Sequence, residues 1–378
     1  INMNKIVKLT LAVITSFALT GFSTTVSVAG EFTVTGAAKA TYAIRGAAST
    51  AGGAYGDNTG KGLGIANEFT LGASGELDNG MAWTYAQDID NATVQDDASM
   101  SLTTDYGMFK VCISECGISA KYKADASAYG PGSDYGMSYS TDTDHDIDTN
   151  TTAKFTYGDD IGGWNNLQYH TPAGLLPFGI VAKAAYAPSA EAAMNSSNGG
   201  GAVDAADAQD GRDIDQYYIE AAPIDGLQVT ASYLQKNGEN GYARQGYEAG
   251  GYNAKYSYGP VTVGYGKFYV VPAGNTGTAE ETDYVQYYEN DLYSIGIAAN
   301  DNLTISYTSE DSVVEKQQGD AATTQKTDSS VESNITAIQA AYTMGGMTLS
   351  VANKDIEKAN YVDKNDYSET IVAVSMAF

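Results

Sequence analysis

The residues with the most evident chemical potential lie in one acidic stretch, from Cys112 to about Asp160. Within it is a run in which aspartate alternates with other residues: Asp142, Asp144, Asp146 and Asp148, with His145 in the middle. Carboxylate oxygens at such spacing are ligands that calcium prefers, although the run lacks the glycine and terminal glutamate of the helix-loop-helix calcium motif. The run predicts either a calcium site or a solvated acidic segment.

An export signal precedes this stretch and decides the compartment. After Met3, the expected start, a basic segment is followed by an apolar run from Leu9 to Phe22 and by small residues that end at Ala29. That order is typical of a secretory signal peptide, and the apolar run is too short for a spanning helix. We therefore expect residues 1–29 to be removed on export and residues 30–378 to form the mature domain.

Export places the two cysteines, Cys112 and Cys116, in an oxidising compartment, where they are the only pair available. A disulfide between them requires Cys116 to turn back, because a spacing of four residues in an extended strand is too long a reach. Two free thiols are the alternative.

Composition excludes some classes of partner. The formal net charge is −26, and the only arginines are Arg45, Arg212 and Arg244. Such an acidic chain disfavours nucleic acid as a partner and favours cations. We also find no enzyme motif, since His145 and His170 have no partners at zinc-site spacing and no nucleophile elbow is present.

The elements that must position the acidic stretch are short strands. Apolar and polar residues alternate in about sixteen segments of roughly ten residues, a length that suits a tilted crossing of the hydrocarbon layer. Tight turns such as Asp78–Gly80 alternate with long connections such as 311–332. A soluble sandwich has no reason for that asymmetry, whereas an outer-membrane barrel has short periplasmic turns and long outer loops. The sequence predicts an all-β transmembrane antiparallel barrel.

Several segments resemble the general diffusion porins of Gram-negative outer membranes, a trimeric sixteen-stranded family. The strand Asp105–Val111 resembles the family's strand that enters the third loop, and Trp164–Pro172 resembles the strand that leaves it. Phe32–Gly36 resembles the opening strand. The strongest match is the apolar ladder that ends at Phe378, which is similar to the family's barrel-assembly signal but has Met376 where an aromatic residue is usual.

The resemblance implies that residues 115–162 form a third loop that folds into the lumen and narrows it. Acidic loop residues would then face a basic wall. The acidic set is Asp125, Asp134, Asp142, Asp144, Asp146 and Asp148, and the basic set is Lys39, Arg45, Lys110 and Lys183. For any single acid, a merely solvated loop charge is the alternative. Because the family's arginine cluster is not reproduced, we expect the carboxylates to dominate and the pore to prefer cations.

The resemblance also implies the location and the partners. We expect export through the periplasm to the cell outer membrane, a homotrimer, contacts with lipid and lipopolysaccharide, and passage of small hydrophilic solutes and ions without a cofactor other than the calcium considered above. One alternative is a substrate-specific channel of the same fold, with an aromatic ladder supplied by Tyr122, Tyr129, Tyr135 and Tyr139. Another is a secreted β-rich adhesin.

Overall fold

The structure is a computed structural model that describes most of residues 30–378. The described residues are 30–46, 60–90, 97–113, 116–120, 123–130, 160–188, 213–237, 247–271, 284–320, 325–361 and 366–378. The predicted signal peptide, residues 1–29, lies outside them.

Sixteen strands run through the described ranges, the number expected from the sequence. They are β1 Gly30–Arg45, β2 Gly60–Glu76, β3 Ala82–Asp90, β4 Ala98–Thr104, β5 Gly107–Ile113, β6 Asn166–His170, β7 Val181–Ala187, β8 Ile214–Ala221, β9 Leu227–Lys236, β10 Glu248–Tyr258, β11 Val261–Val271, β12 Tyr284–Ala298, β13 Leu303–Asp320, β14 Gln325–Met344, β15 Met347–Glu357 and β16 Tyr367–Ala377. Short 3-10 turns lie at Ile161–Gly163, Pro177–Gly179 and Ala359–Tyr361.

The strands form one closed antiparallel barrel. Each strand pairs with its neighbours in sequence, and β16 closes the sheet on β1 in a register that runs from Ala37 opposite Ala377 to Arg45 opposite Glu369. Closure satisfies the backbone groups that a sheet edge would leave unpaired, which is what a lipid environment demands. The predicted barrel is therefore confirmed.

Phe378 lies at this seam. Its backbone N–H donates to the Gly36 carbonyl oxygen at 2.9 Å, and the Gly36 N–H donates to the Phe378 carbonyl oxygen at 2.8 Å. Its ring centroid is 5.5 Å from that of Phe69 on β2, and the side chain is 64% exposed. The last residue thus extends the pairing that closes the barrel and adds its ring to the outward surface.

The two ends of the barrel differ. Short connections join β2 to β3, β4 to β5 and every second pair after that, the longest being residues 171–180 between β6 and β7, and we call this the turn end. In the turn before β9, Gly226 has φ of 80°, and a Cβ there would lie 2.3 Å from the Ser257 carbonyl oxygen, so only glycine fits. The opposite end carries the long connections and is called the loop end. The expected alternation of short and long connections is confirmed at most positions.

One long connection was predicted wrongly. Residues 311–332 were expected to form a loop, but β13 and β14 continue as a paired ribbon to Asp320 opposite Gln325. Polar residues occur on both faces of this ribbon, so apolar alternation stops although the backbone ladder does not. A ribbon that projects into water keeps its cross-strand hydrogen bonds without needing an apolar face.

The barrel wall has an apolar outside and an inside that mixes polar and apolar side chains. Large apolar side chains on alternate strand positions are exposed, for example Leu63 at 83% and Ile65 at 73%. The other parity carries residues that are covered from within, both polar ones such as Gln216 and Gln339 and apolar ones such as Leu234 and Phe268, which pack in a cluster with Ile118 and Ala124 of the long insert. An exposed apolar band of this extent marks a surface that contacts lipid or protein. In the part of the chain that the structure describes, no helix is long and apolar enough to cross a membrane.

Candidate functional site: the inner segment and the facing wall

Part of the predicted third loop lies inside the barrel. We call residues 116–120 and 123–130 the inner segment. Its backbone is bonded to inward-facing side chains of β6, β9, β10, β12, β13 and β14 in turn, so it follows the inner wall around the circumference. The expectation that this loop folds into the lumen is confirmed for these residues. The wall of β1 to β5 is left uncovered by those contacts.

The root of the inner segment is held by a carboxylate. Asp160, the N-cap of the 3-10 turn Ile161–Gly163, accepts hydrogen bonds from the N–H groups of Ile118 at 3.0 Å and Ser119 at 3.1 Å. It also accepts one from the Gly162 N–H at 3.1 Å. One side chain therefore joins the start of the long insert to its end, and its role is structural.

Polar wall side chains bind the rest of the segment at regular intervals. The Ser232 Oγ accepts from the Ala120 N–H at 3.0 Å, and the Asn253 amide donates to the Ala120 carbonyl at 2.8 Å. Further along, the Ser306 Oγ accepts from the Ala128 N–H at 2.7 Å. Extended backbone would otherwise leave these groups buried without partners, at a cost of about 1–3 kcal/mol each.

Gln339 of β14 binds the far end of the segment with both atoms of its amide. Its oxygen accepts from the N–H groups of Tyr129 at 2.7 Å and Gly130 at 3.1 Å, while its nitrogen donates to the Gly130 carbonyl at 2.6 Å. Gln339 is 1% exposed, so water does not compete for these bonds. The bonds fix residues 129–130 against β14.

Glycines on the inward faces of β11 and β12 make room for the segment. A Cβ at Gly264 would lie 1.7 Å from the Ala124 carbonyl oxygen, and one at Gly296 would lie 2.5 Å from the Ala126 carbonyl oxygen. Ser294, between them, donates to the Ala124 carbonyl at 2.7 Å and accepts from the Ala126 N–H at 3.1 Å. The backbone of the segment thus lies directly on the sheet at these two glycines, with the Ser294 hydroxyl bonded to it.

Two of the predicted basic wall residues are brought together. Lys183 on β7 interacts electrostatically with Lys110 on β5 and with Lys123 of the inner segment, a residue that sequence reasoning did not select. The Lys183 Nζ lies 4.8 Å from the centroid of the Tyr218 ring. Glu220 and Asp160 offset part of this positive charge. A basic cluster therefore stands beside the root of the inner segment.

The other two predicted basic residues lie on β1, away from that cluster. The Lys39 Nζ is 5.4 Å from the centroid of the Tyr129 ring, so β1 and the far end of the inner segment approach each other across the lumen. Arg45 has the same strand parity as Lys39 and is opposite Glu369 in the register. The predicted basic wall is thus divided between two positions.

Of the predicted acids, the described residues include only Asp125. Its carboxylate accepts from the Ser127 N–H at 3.0 Å and the Ser127 hydroxyl at 2.6 Å, which forms a local turn. The other predicted acids, Asp134, Asp142, Asp144, Asp146 and Asp148, lie outside the described residues, as do Tyr122, Tyr135 and Tyr139. Among the residues the structure covers, no three His, Cys, Asp or Glu side chains are arranged to hold a metal ion.

Sequence reasoning missed acidic residues on the uncovered wall. Glu68 of β2 is directly opposite Asp90 of β3, and Asp88 is one inward position away. Glu68 shares the parity of Lys39, through the pairing of Ala37 with Glu68, and therefore faces the lumen. Like charges directly opposite each other are unfavourable in a sheet unless cations or water screen them. Strand parity was the available signal.

Cys112 and Cys116 are unlinked thiols in contact near the segment's root. Cys112, on the inward face of β5, is buried, and Cys116 is half-buried. The hydrogen bond with the Cys112 thiol lowers the pKa of the Cys116 thiol to about 7, and the Lys110 ammonium acts in the same direction. Cys116 therefore loses its proton more readily than an ordinary cysteine, and the thiolate is the form that attacks disulfides and alkylating reagents.

Sequence comparison finds no relative, whereas structure comparison finds many. No protein-family model and no curated protein sequence matches the chain. The trimer form of OmpT, an outer membrane protein of Vibrio cholerae, has a similar fold with a TM-score of 0.59 at 9% identity, over 93% of this chain and 100% of that one. The anion-selective porin from Comamonas acidovorans gives 0.56 at 11% identity, over 92% and 100%.

A third similar structure is Salmonella typhi OmpF in complex with daunomycin. It gives a TM-score of 0.54 at 15% identity, over 93% of this chain and 98% of that chain. At such low identities the similarity establishes the fold, which is the closed sixteen-stranded barrel of the outer-membrane porins. It does not carry the solute or the ion preference from one protein to another.

Proposed function

We propose that the chain forms a water-filled channel in the outer membrane of a Gram-negative bacterium, through which small hydrophilic solutes and ions diffuse passively. The observation that carries the proposal is that the backbone hydrogen bonds of the inner segment go to side chains of β6, β9, β10 and β12 to β14, along one side of a closed barrel. A barrel of sixteen strands is too wide for wall side chains to fill and leaves an aqueous path. The exposed apolar band on the outside suits the hydrocarbon layer.

We also propose that this channel prefers cations. Glu68, Asp88 and Asp90 face the lumen on the wall of β1 to β5, where Lys39 of β1 and Lys110 of β5 supply positive charge on the same inward face. Carboxylates that line a narrow aqueous path attract cations and repel anions. Since a porin of similar fold is described as anion-selective, the fold leaves the sign open and the wall charges must decide it.

Reversal potential in a salt gradient across a planar bilayer tests both proposals. The wild type should show cation preference, and the double variant Glu68→Gln, Asp90→Asn should shift its reversal potential toward the anion side. Asp355→Asn, which removes an outward-facing carboxylate from β15, is the matched control and should leave the potential unchanged. Anion preference of the wild type would contradict cation selectivity, and absence of any conductance would contradict the channel.

The assembly and the remaining partners are proposals of the same kind. We expect a homotrimer in contact with outer-membrane lipid and lipopolysaccharide, and a trimer form is described for the similar Vibrio cholerae protein. Native mass spectrometry of detergent-extracted protein should give three copies. Calcium at Asp142, Asp144, Asp146 and Asp148 also remains a proposal. Equilibrium dialysis should show calcium binding that is lost when all four are changed to asparagine.

A further inference from the structure

The chain re-enters the barrel a second time, after β15. Residues 358–361, which we call the mouth segment, contain the 3-10 turn Ala359–Tyr361. Tyr361 is 4% exposed; its hydroxyl lies 2.7 Å from the Ser312 Oγ, and its ring centroid lies 5.7 Å from that of Tyr288. Burial raises the pKa of the Tyr361 hydroxyl above its ordinary value, so the group stays neutral and can bond to Ser312.

These contacts place Tyr361 inside the lumen. Ser312 has the same parity on β13 as Ser306, whose hydroxyl binds the inner segment. Six residues separate the two serines, which corresponds to about 20 Å along a strand. Because β13 runs from the turn end to the loop end, Tyr361 lies above the inner segment, toward the loop end. The two inward-folded segments are therefore at different depths.

The mouth segment also crosses several strands. It leaves β15, and Tyr361 contacts side chains of β13 and β12, a path of up to three strand spacings or about 14 Å. The inward-facing polar residues next to it, Glu310, Ser312 and Ser333, are each 0% exposed. Polar wall residues at the mouth of an open barrel would be exposed to solvent. Because these residues are buried, polypeptide and not water covers this side of the mouth.

The backbone of the segment is strained and is held in place at both ends. Lys358 has φ of 49° and Tyr361 has φ of 54°, values that cost non-glycine residues about 1–3 kcal/mol each. The Lys358 N–H donates to the Asp366 carboxylate at 2.8 Å, and Ser333 donates to the Glu357 carbonyl at 2.7 Å. Such strain persists only where surrounding contacts impose it, here the packing of Tyr361 and these two bonds.

We propose that the mouth segment is a second constriction, separate from the inner segment, and that it limits the size of solute that enters from the loop end. This inference rests on the proposed channel function. Tyr361, which is 4% exposed, acts with Ser312 and Asp366 as a positioning residue that holds the segment inside the lumen.

Side-resolved polymer exclusion tests the proposal. Single-channel conductance is recorded with neutral polymers of graded size added to one compartment, and the largest polymer that enters is determined for each side. A biotin tag in the Asn300–Asn302 turn, recognised by streptavidin, identifies the compartment at the turn end. The variants are Tyr361→Ala, which removes the ring, and Asp366→Ala, which releases the start of the segment and leaves the barrel wall intact.

Tyr361→Ala should raise the polymer cut-off from the loop end and leave that from the turn end unchanged, and Asp366→Ala should give a smaller rise in the same direction. Tyr106→Ala, which removes an exposed tyrosine from the turn before β5, is the control and should change neither. An unchanged cut-off in both variants would overturn the proposal, as would an equal rise from both ends, which would indicate that Tyr361 acts through the inner segment. If Tyr361→Ala does not assemble, Asp366→Ala alone decides. If the wild type conducts no current, the channel function fails instead.

Discussion

The close approach of the inner segment to β11 makes a sharp prediction for Gly264→Ala. The new Cβ would lie 1.7 Å from the Ala124 carbonyl oxygen. Carbon and oxygen approach to about 3.3 Å at closest, so the segment must move off β11 by roughly the difference, about 1.6 Å. The oxygen belongs to the backbone, and no side-chain rotation can relieve the overlap. Because the wall lies on one side, the displacement is toward the pore axis.

The displacement has an energetic cost that can be estimated from the contacts. It separates Ala124 from Ser294, whose hydroxyl donates to the Ala124 carbonyl at 2.7 Å and accepts from the Ala126 N–H at 3.1 Å. Two hydrogen bonds at about 1 kcal/mol each give a loss of about 2 kcal/mol. The alanine itself recovers roughly 0.5–1 kcal/mol, since glycine is disfavoured in a strand interior. We expect a net loss of about 1–1.5 kcal/mol.

Two assays measure these effects. Single-channel conductance of Gly264→Ala should fall, because Ala124 then protrudes into the lumen, and heat-induced loss of the folded form on gels should occur at a lower temperature. Gly62→Ala on β2 is the matched control, since it is also an inward-facing strand glycine but a Cβ there meets no atom within 4 Å. If both variants conduct and melt alike, the inner segment does not lie on β11 and the reasoning fails.

Four further predictions concern other contacts. Gln339→Leu leaves three backbone groups of residues 129–130 without their partner, so current noise should increase while Gln235→Leu, on an exposed face, should change nothing. Alkylation of Cys116 should rise with pH around a midpoint of about 7, and Cys112→Ala should move that midpoint upward; a midpoint near that of ordinary thiols in the wild type would contradict the thiol contact. A mild disulfide oxidant should remove two hydrogens from the wild type and none from Cys112→Ala, as measured by mass, if the predicted disulfide forms. Phe378→Ala removes the ring contact with Phe69 and should slow barrel assembly, whereas Phe378→Tyr should preserve it.

Strand parity and connection length were sufficient to predict the barrel. An apolar residue at every second position identifies one face of each strand whatever its partners, and parity therefore also placed Lys110 and Lys183 inside. The outer part of the β13–β14 ribbon was not predicted as strand, because polar residues on both of its faces give no apolar alternation. Parity equally identifies Glu68 and Asp90 as lumen residues.

The contacts that hold the inner segment could not be predicted in the same way. Gly264 and Gly296 interrupt the side-chain pattern of their strands, and no residue nearby in sequence explains a glycine at either position. The reason is that the backbone of Ala124 and Ala126, more than a hundred residues away in sequence, lies where a Cβ would be. The same holds for Tyr361 and Ser312, whose contact depends on where a loop re-enters the barrel. A period-2 pattern records which face a residue occupies, but not which distant backbone it meets.

Two constrictions at different depths would select solutes by different properties, one by charge and the other by size. The acids of β2 and β3 lie on the wall that the inner segment leaves uncovered, so charge would be sensed at that level by carboxylates that water still reaches. Tyr361 holds the mouth segment through a ring contact with Tyr288 and a hydroxyl bonded to Ser312, so replacing it changes no charge and would affect the size limit alone. Neutralising Glu68 and Asp90 should therefore shift the reversal potential without changing the polymer cut-off, and Tyr361→Ala should do the reverse. A variant of either kind that changes both quantities would show that the two levels are coupled through the loop residues between them.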